Sequence, residues 1–201
     1  MQNIDPSVFI ADTAAIFGNV MIGEGSSVWF NTVIRCESHE VRIGRYSNVQ
    51  DFAMLHVGYN HPTVIGDFCS VTHRATIHGA TVGDGCLIGI DATVMDGAVI
   101  GANCELCAGV PVLGNTTIGP DCVVMSHAVI GSSDPGTTVV GRNTRVGAHA
   151  VVGAICEKRG TPAFASHLVI GDDCVMREQA VIHRSSGPAS VTRIGNNVVV
   201  M

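Results

Sequence analysis

The sequence predicts an all-β protein, a parallel β-helix built of stacked coils. Aliphatic residues recur at every sixth position, as in the run from Val82 through Ile88 and Val94 to Ile100. Hydrophobic residues make up 46% of the 201 residues but aromatic residues only 4%, so the interior must consist of small aliphatic side chains. A period of six excludes an α-helix, whose period is 3.6, and is typical of a short strand followed by a corner.

The six-residue step runs through most of the chain. Three such cells make a coil of about 18 residues, and coils stacked about 4.8 Å apart pair as parallel β-sheet on each side of a triangular prism. About nine coils then form a rod of roughly 45 Å, in which each coil buries its aliphatic side chains against its neighbours. Apart from Met176, the repeated positions are all Ile, Leu or Val: Ile10, Ile16, Ile22, Val28, Ile34, Ile43, Val49, Leu55, Ile65, Val71, Ile77, Val82, Ile88, Val94, Ile100, Leu106, Val112, Ile118, Val124, Ile130, Val140, Val146, Val152, Ile170, Ile182, Ile194 and Val200.

Most of the eight cysteines follow the same register. They lie four residues after the aliphatic residue of their cell, where a small side chain must point inward and where Ser26 and Ala92 are also found. A free cysteine behaves as a small buried hydrophobe, so we expect reduced core residues rather than zinc ligands. The cysteines at this position are Cys69, Cys86, Cys104, Cys122 and Cys174, whereas Cys36, Cys107 and Cys156 fall outside the pattern.

Charge and the N-terminal residues exclude several functions. The formal net charge is −6 and no block of basic residues is present, which argues against nucleic acid and membrane surfaces as partners. Residues 1–15 contain Asp5 and Asp12 and no uninterrupted apolar stretch, so they resemble neither a secretory signal nor a membrane span. We therefore expect a cytoplasmic protein.

Interruptions of the repeat cluster in the first half of the chain, near several histidines. Counting cells places Arg35, His56 and His78 one above another on one outward side of the prism. His56 and His78 would lie about 5 Å apart, so both imidazoles could reach one metal ion with bonds of about 2.1 Å. His73 belongs to the adjacent side, near a corner, and could complete the site on a neighbouring subunit of a three-fold trimer. The alternative is that all three are ordinary solvated surface residues.

Five segments resemble the γ-class carbonic anhydrases and their homologues, over about residues 5–115. They are 27–35 (SVWFNTVIR), 43–51 (IGRYSNVQD), 54–57 (MLHV), 71–79 (VTHRATIHG) and 83–89 (GDGCLIG).

The resemblance implies a left-handed β-helix, a homotrimer and a metal held by three histidines from two subunits. Carried over to this chain, the ligands are His56, His73 and His78, the same three residues that the cell counting selects. The metal implied is Zn²⁺, with Fe²⁺ or Co²⁺ as further options for a three-histidine site. The implied reaction is the reversible hydration of CO2 to bicarbonate, for which the metal lowers the pKa of a bound water to about 7.

Four more residues match functional positions of the resembled family. Gln50 resembles the residue that orients water and substrate, and Arg35 and Asp51 resemble charged groups at the subunit interface beside the metal. The position that usually holds an aspartate two residues after the arginine is here Glu37. An ion pair within the interface is the simpler role for Arg35 and Asp51.

Two departures from the resembled family stand out. Residues 57–64 contain no carboxylate, so the acidic proton-shuttle loop of the fully active branch is missing, and His61 is the candidate substitute. The family usually ends in a long helix, whereas here repeats continue, with interruptions near 154–169 and 184–193.

We therefore expect two regions of one stack, a carbonic-anhydrase-like region over residues 1–117 and continuing coils over 118–201. The second region resembles the UDP-N-acetylglucosamine acyltransferase branch of the hexapeptide proteins, and Met201 comes before the position of that branch's catalytic histidine.

Two other functions remain open from the sequence. One is a hexapeptide-repeat acyltransferase that uses an acyl thioester, in which His167 or His183 would have to act as the base. The other is an inactive metal-binding scaffold subunit, which would keep the three histidines and lack the proton relay.

Overall fold

The structure, a computed structural model, describes residues 2–156 and 164–201. Within them all regular elements are β-strands, most of them of two to five residues, and every strand pairing is parallel. The predicted interruption at 154–169 lies partly outside the described residues.

The strands form three flat faces of a prism, wound as a left-handed parallel β-helix of about nine coils. The third face is a separate ten-stranded sheet. Its strands are β2 (Phe9–Ile10), β4 (Ser27–Val28), β6 (Asn48–Val49), β9 (Ser70–Val71), β12 (Leu87–Ile88), β15 (Glu105–Leu106), β18 (Val123–Val124), β21 (Arg145–Val146), β24 (Val175–Met176) and β27 (Val199–Val200).

The first and second faces join into one sheet of 17 strands, because two long strands run over both faces. These long strands are β3 (Ala15–Ile22) and β5 (Val33–Ile43). The first face continues with β7 (Met54–His56), β10 (Thr76–His78), β13 (Thr93–Val94), β16 (Pro111–Leu113), β19 (Val129–Gly131), β22 (Val151–Ala154) and β25 (Val181–His183). The second face contains β1 (Asn3–Ile4), β8 (Thr63–Ile65), β11 (Thr81–Val82), β14 (Val99–Ile100), β17 (Thr116–Ile118), β20 (Gly136–Val140), β23 (Ser166–Ile170) and β26 (Val191–Ile194).

The six-residue step is the register of the core. Leu55 pairs with Ile77, and Ile77 with Val94, so each aliphatic residue lies directly above its counterpart in the coil below. These side chains are fully buried inside the prism. The predicted fold is therefore confirmed, and β-repeats continue over residues 164–201, where the resembled family usually has a long helix.

The cysteine prediction is also confirmed, since all eight cysteines are free. The thiol of Cys86 donates to the carbonyl oxygen of Gly101 in the next coil at 3.1 Å, and Cys104 bonds Gly119 in the same way. The contact with the Cys104 thiol, together with burial, raises the pKa of Cys86. These thiols fill one corner of the core and satisfy its backbone carbonyls.

The stack runs without a break across residues 117 and 118, because β17 pairs with β14 on one side and β20 on the other. The division of the chain between two family resemblances stays a prediction. None of the described segments forms a helix that could cross a bilayer.

Candidate metal centre

The first half of the candidate site lies on the first face. The register pairs Arg35 with His56 and His56 with His78, as the cell counting predicts. The two imidazole rings lie with their centroids 4.8 Å apart and their planes inclined by 59°. Both side chains point outward and are mostly covered, with 19% and 25% of their surface exposed.

The two rings form the centre of a chain of hydrogen-bonding groups. Nδ1 of His56 faces Nε2 of His78 at 2.9 Å. The outer nitrogens each meet a carboxylate: His56 Nε2 lies 2.9 Å from Glu37 Oε2, and His78 Nδ1 lies 2.6 Å from Asp96 Oδ1. A carboxylate accepts hydrogen bonds, so both outer nitrogens are donors. When both rings are neutral, both inner nitrogens then carry lone pairs, which repel each other unless a proton or a cation lies between them. This arrangement suits a cation bound at the inner nitrogens.

Arg35 competes for the same nitrogen of His56. Its Nη2 lies 3.1 Å from His56 Nε2, but a guanidinium can only donate and the nitrogen cannot serve both neighbours. The Glu37 contact is shorter, and Glu37 also holds Arg35 Nε at 2.7 Å. The hydrogen bond from His56, with Arg35 beside it, keeps the pKa of the Glu37 carboxyl below its usual value. Glu37 therefore stays ionised and orients the ring of His56.

Thr63 fixes the backbone of both histidine strands. Its buried hydroxyl donates to the carbonyl oxygen of His56 and accepts from the amide of Gly79, the residue after His78, at 2.9 Å. The amide of Gly79 also reaches the carbonyl oxygen of His56 at 3.0 Å. The loop between His56 and Thr63 thus returns to the strand end and fastens it.

The second half of the candidate site lies on the third face and its corner. His73 Nδ1 lies 3.2 Å from Asp51 Oδ2, and 47% of the His73 side chain is exposed. Gln50 donates through Nε2 to Asn48 Oδ1 at 2.9 Å, which leaves its amide oxygen free to accept. These residues line an open cavity of about 510 Å³ together with Trp29.

The structure brings the seven predicted site residues into two groups. Arg35, Glu37, His56 and His78 form one, whereas Gln50, Asp51 and His73 form the other. Among the described residues of one chain, no three histidine, cysteine or carboxylate side chains surround a common point. A three-histidine site needs both groups, because His56 and His78 belong to the first group and His73 to the second.

The remaining histidines lie elsewhere. His61 lines a cavity of about 500 Å³ together with Asp96. Asp96 contacts Nδ1 of His78, so this cavity lies on the Nδ1 side of that ring and not beside the inner nitrogens of the pair. His167 contacts the hydroxyl of Thr137 at 2.8 Å, and His183 lines a separate open cavity with Cys156.

Sequence reasoning missed Asp96 and Thr63. Asp96 could have been found by counting one coil beyond His78 on the first face, since Val94 pairs with Ile77 and Asp96 follows Val94 by two residues. Thr63 lies two residues before the aliphatic residue that resumes the repeat after an insertion, as the buried Thr138 does. That recurrence was visible in the sequence, but the bonds made by Thr63 were not.

Comparisons with known proteins show what this chain is similar to. A family model described as bacterial transferase hexapeptide (six repeats) matches residues 79–110. The chain is 46% identical over 91 residues to a protein of Methanocaldococcus jannaschii described as a "probable carbonic anhydrase", covering 45% of this chain and 57% of the relative. It is 40% identical over 121 residues to gamma carbonic anhydrase 1, mitochondrial, of Arabidopsis thaliana, covering 57% of this chain and 44% of the relative.

A solved structure is similar over a larger share of its own length. The hexapeptide transferase family protein from Anaplasma phagocytophilum has a TM-score of 0.58 and 32% identity, covering 61% of this chain and 72% of that one. The chain spans about half the length of the curated relatives named above. The fold, the repeat and the relative of which 72% is covered together show that the chain belongs to the hexapeptide-repeat proteins, and its first half is similar to gamma carbonic anhydrases.

Proposed function

We propose that this chain is a subunit of a zinc-dependent, carbonic-anhydrase-like homotrimer that hydrates CO2 reversibly. His56 and His78 of one subunit and His73 of its neighbour would hold the metal. The observation that carries the proposal is the pair of inner nitrogens, His56 Nδ1 and His78 Nε2, which face each other at 2.9 Å while their outer nitrogens are held by carboxylates. Neutral imidazole nitrogens are the usual donors to zinc.

Exposed groups around His73 support a second copy of the chain as the missing partner. Phe30 and Phe52 lie at the same corner and are 43% and 60% exposed, which is costly for aromatic rings facing water. The negative Asp51 at this corner complements the Arg35 guanidinium on the first face, which remains half exposed despite its ion pair. A neighbouring subunit would cover the aromatic rings and bring these charges together.

When bound, zinc would supply a water of lowered pKa as the nucleophile. The protein side chains have other tasks. Glu37 fixes the ring of His56, and the tied amide nitrogen of Gln50 leaves Oε1 to accept a hydrogen bond from a water or substrate in the cavity. The ring of Trp29 gives this cavity an apolar wall suited to CO2.

A single substitution tests the proposal. His78→Ala should abolish zinc binding and CO2 hydration together, because one of two facing ligands is lost. His183→Ala is the matched control, since His183 also follows a buried residue on the first face but lies far along the rod. Hydration above the buffer rate in the zinc-free His78→Ala protein would contradict the proposal.

The other functions considered make different predictions. A scaffold subunit would bind zinc in the trimer and give no catalysed hydration in the same assay. A transferase would move an acyl group from a thioester to a sugar-nucleotide acceptor, with a histidine base and no need of metal. The pairing of His167 with Thr137 offers such a base. Among the residues that the structure describes, however, no carboxylate contacts His167 or His183 as Glu37 and Asp96 contact His56 and His78.

A further inference from the structure

Asp96 makes the shortest side-chain contact of the histidine pair. Its Oδ1 lies 2.6 Å from Nδ1 of His78. Asp96 comes from the coil beyond His78, after the strand β13, and its side chain is 45% exposed. The contact therefore joins a residue outside the predicted ligand set to one of the ligands.

The geometry of this contact decides which nitrogen of His78 is available. A carboxylate oxygen accepts, so Nδ1 carries the hydrogen and Nε2 presents its lone pair toward His56. Without an acceptor at Nδ1 the ring could place its hydrogen on either nitrogen and could rotate about its side-chain bonds. Carboxylates that hold the far nitrogen of a metal-binding histidine commonly serve this purpose.

Two glycines make room for the Asp96 carboxyl group. A Cβ atom built on Gly58 would meet only Asp96 as its three nearest atoms, with Cγ at 2.8 Å. A Cβ on Gly79 would also collide with the same carboxylate oxygen. The backbone also favours glycine at position 79, where φ is +58°, whereas the φ of Gly58 lies outside this left-handed region. The absence of a side chain at position 58 is thus explained by the position of Asp96.

We propose that Asp96 is a positioning residue for His78, and that Gly58 is the gap that admits its carboxyl group. The proposal rests on the proposed function only in naming zinc as the ion that the positioned His78 binds. Glu37 performs the corresponding task for His56, so each histidine of the pair has its own carboxylate.

The test uses the full chain with Asp96→Ala, Asp96→Asn, Gly58→Ala and the double variant Gly58→Ala/Asp96→Ala. Asp121→Ala is the control, an exposed carboxylate that accepts a hydrogen bond from Asn103 away from the histidines. The first readout is zinc affinity, measured by competition with a chromophoric chelator. The second is the tautomer of His78 in the zinc-free protein, measured by NMR with ¹⁵N-labelled histidine.

We expect Asp96→Ala to weaken zinc binding roughly 10–100-fold and to remove the preference of His78 for hydrogen on Nδ1. Asp96→Asn should rescue most of both, because its amide oxygen still accepts. Gly58→Ala should resemble Asp96→Ala, and should add nothing in the double variant, because it acts only by displacing Asp96.

Two results would overturn the proposal. One is an Asp96→Ala protein with wild-type zinc affinity and an unchanged His78 tautomer. The other is a Gly58→Ala effect that persists in full in the double variant, which would place its cause elsewhere. If the wild-type protein binds no zinc, the proposed function fails, yet the tautomer measurement still decides whether Asp96 orients His78.

Discussion

The division of the histidines between two groups predicts that two different inactive variants can restore each other. His73→Ala keeps the pair His56 and His78, whereas His78→Ala keeps His73. His73 lies at the corner of the third face with Asp51, and the pair lies on the first face with Glu37 and Asp96. If each site takes one group from each of two subunits, a trimer that mixes the variants contains one interface at which both intact groups meet.

The magnitude follows from the symmetry of a closed ring. In a cyclic trimer each subunit donates His73 in one direction and the histidine pair in the other. Whether the mixed ring contains two copies of one variant or two of the other, only one of its three interfaces joins an intact His73 to an intact pair. Mixed trimers should therefore bind about one third of the zinc bound by the wild-type trimer and show about one third of its CO2 hydration rate.

The assay is co-expression of the two variants with different affinity tags, followed by purification on both tags so that only mixed oligomers remain. Zinc is measured by elemental analysis and hydration by stopped-flow with a pH indicator. The two single-variant proteins, purified in the same way, should have neither zinc at this site nor activity. Mixed trimers as empty as the single variants would refute the assignment of the ligands to two subunits.

Three further predictions concern stability and reactivity. Thr63→Val should lower the free energy of unfolding by about 1–3 kcal/mol, because the substitution removes the buried hydroxyl that bonds His56 and Gly79. Thr117→Val, at an exposed position, is the control and should change this free energy little. Urea titration of both variants and the wild-type protein measures the difference. Leu106→Ala should cost about 2–5 kcal/mol, since the fully buried side chain leaves a cavity between stacked coils, and a loss below 1 kcal/mol would contradict the packing described. A thiol reagent should label the native protein at Cys156 and more slowly at Cys107. Fast labelling of the core thiols would contradict the closed packing of the stacked coils. The core thiols are those of Cys69, Cys86, Cys104, Cys122 and Cys174.

The fold and the register of the histidines could be predicted from the sequence because they depend on one repeated dimension. A strict period of six sets which side chains point inward, and every coil then adopts the register of the coil before it. Placing His56 under His78 needed only the positions of Leu55 and Ile77 in that count, and the structure pairs them as expected. The same counting placed the cysteines in the core.

The count places Asp96 one coil beyond His78, but the hydrogen bonds of the histidines could not be predicted in this way, because they depend on loops and corners that the period does not describe. Asp96 reaches His78 only because Gly58, in an inserted loop, leaves space for it. Glu37 lies in β5 at the start of the insertion between Ile34 and Ile43. From there its carboxylate contacts both His56 and Arg35. A side chain that acts from a neighbouring coil depends on local angles, and a single sequence gives no periodic signal for them.

The most direct test of the central claim is the zinc content per chain across a size-exclusion peak, for protein prepared without chelator and supplied with zinc. The account predicts about one zinc per chain, eluting together with a trimer. An intact trimer without zinc would contradict it, because the facing nitrogens of His56 and His78 would then hold no metal in the assembled protein.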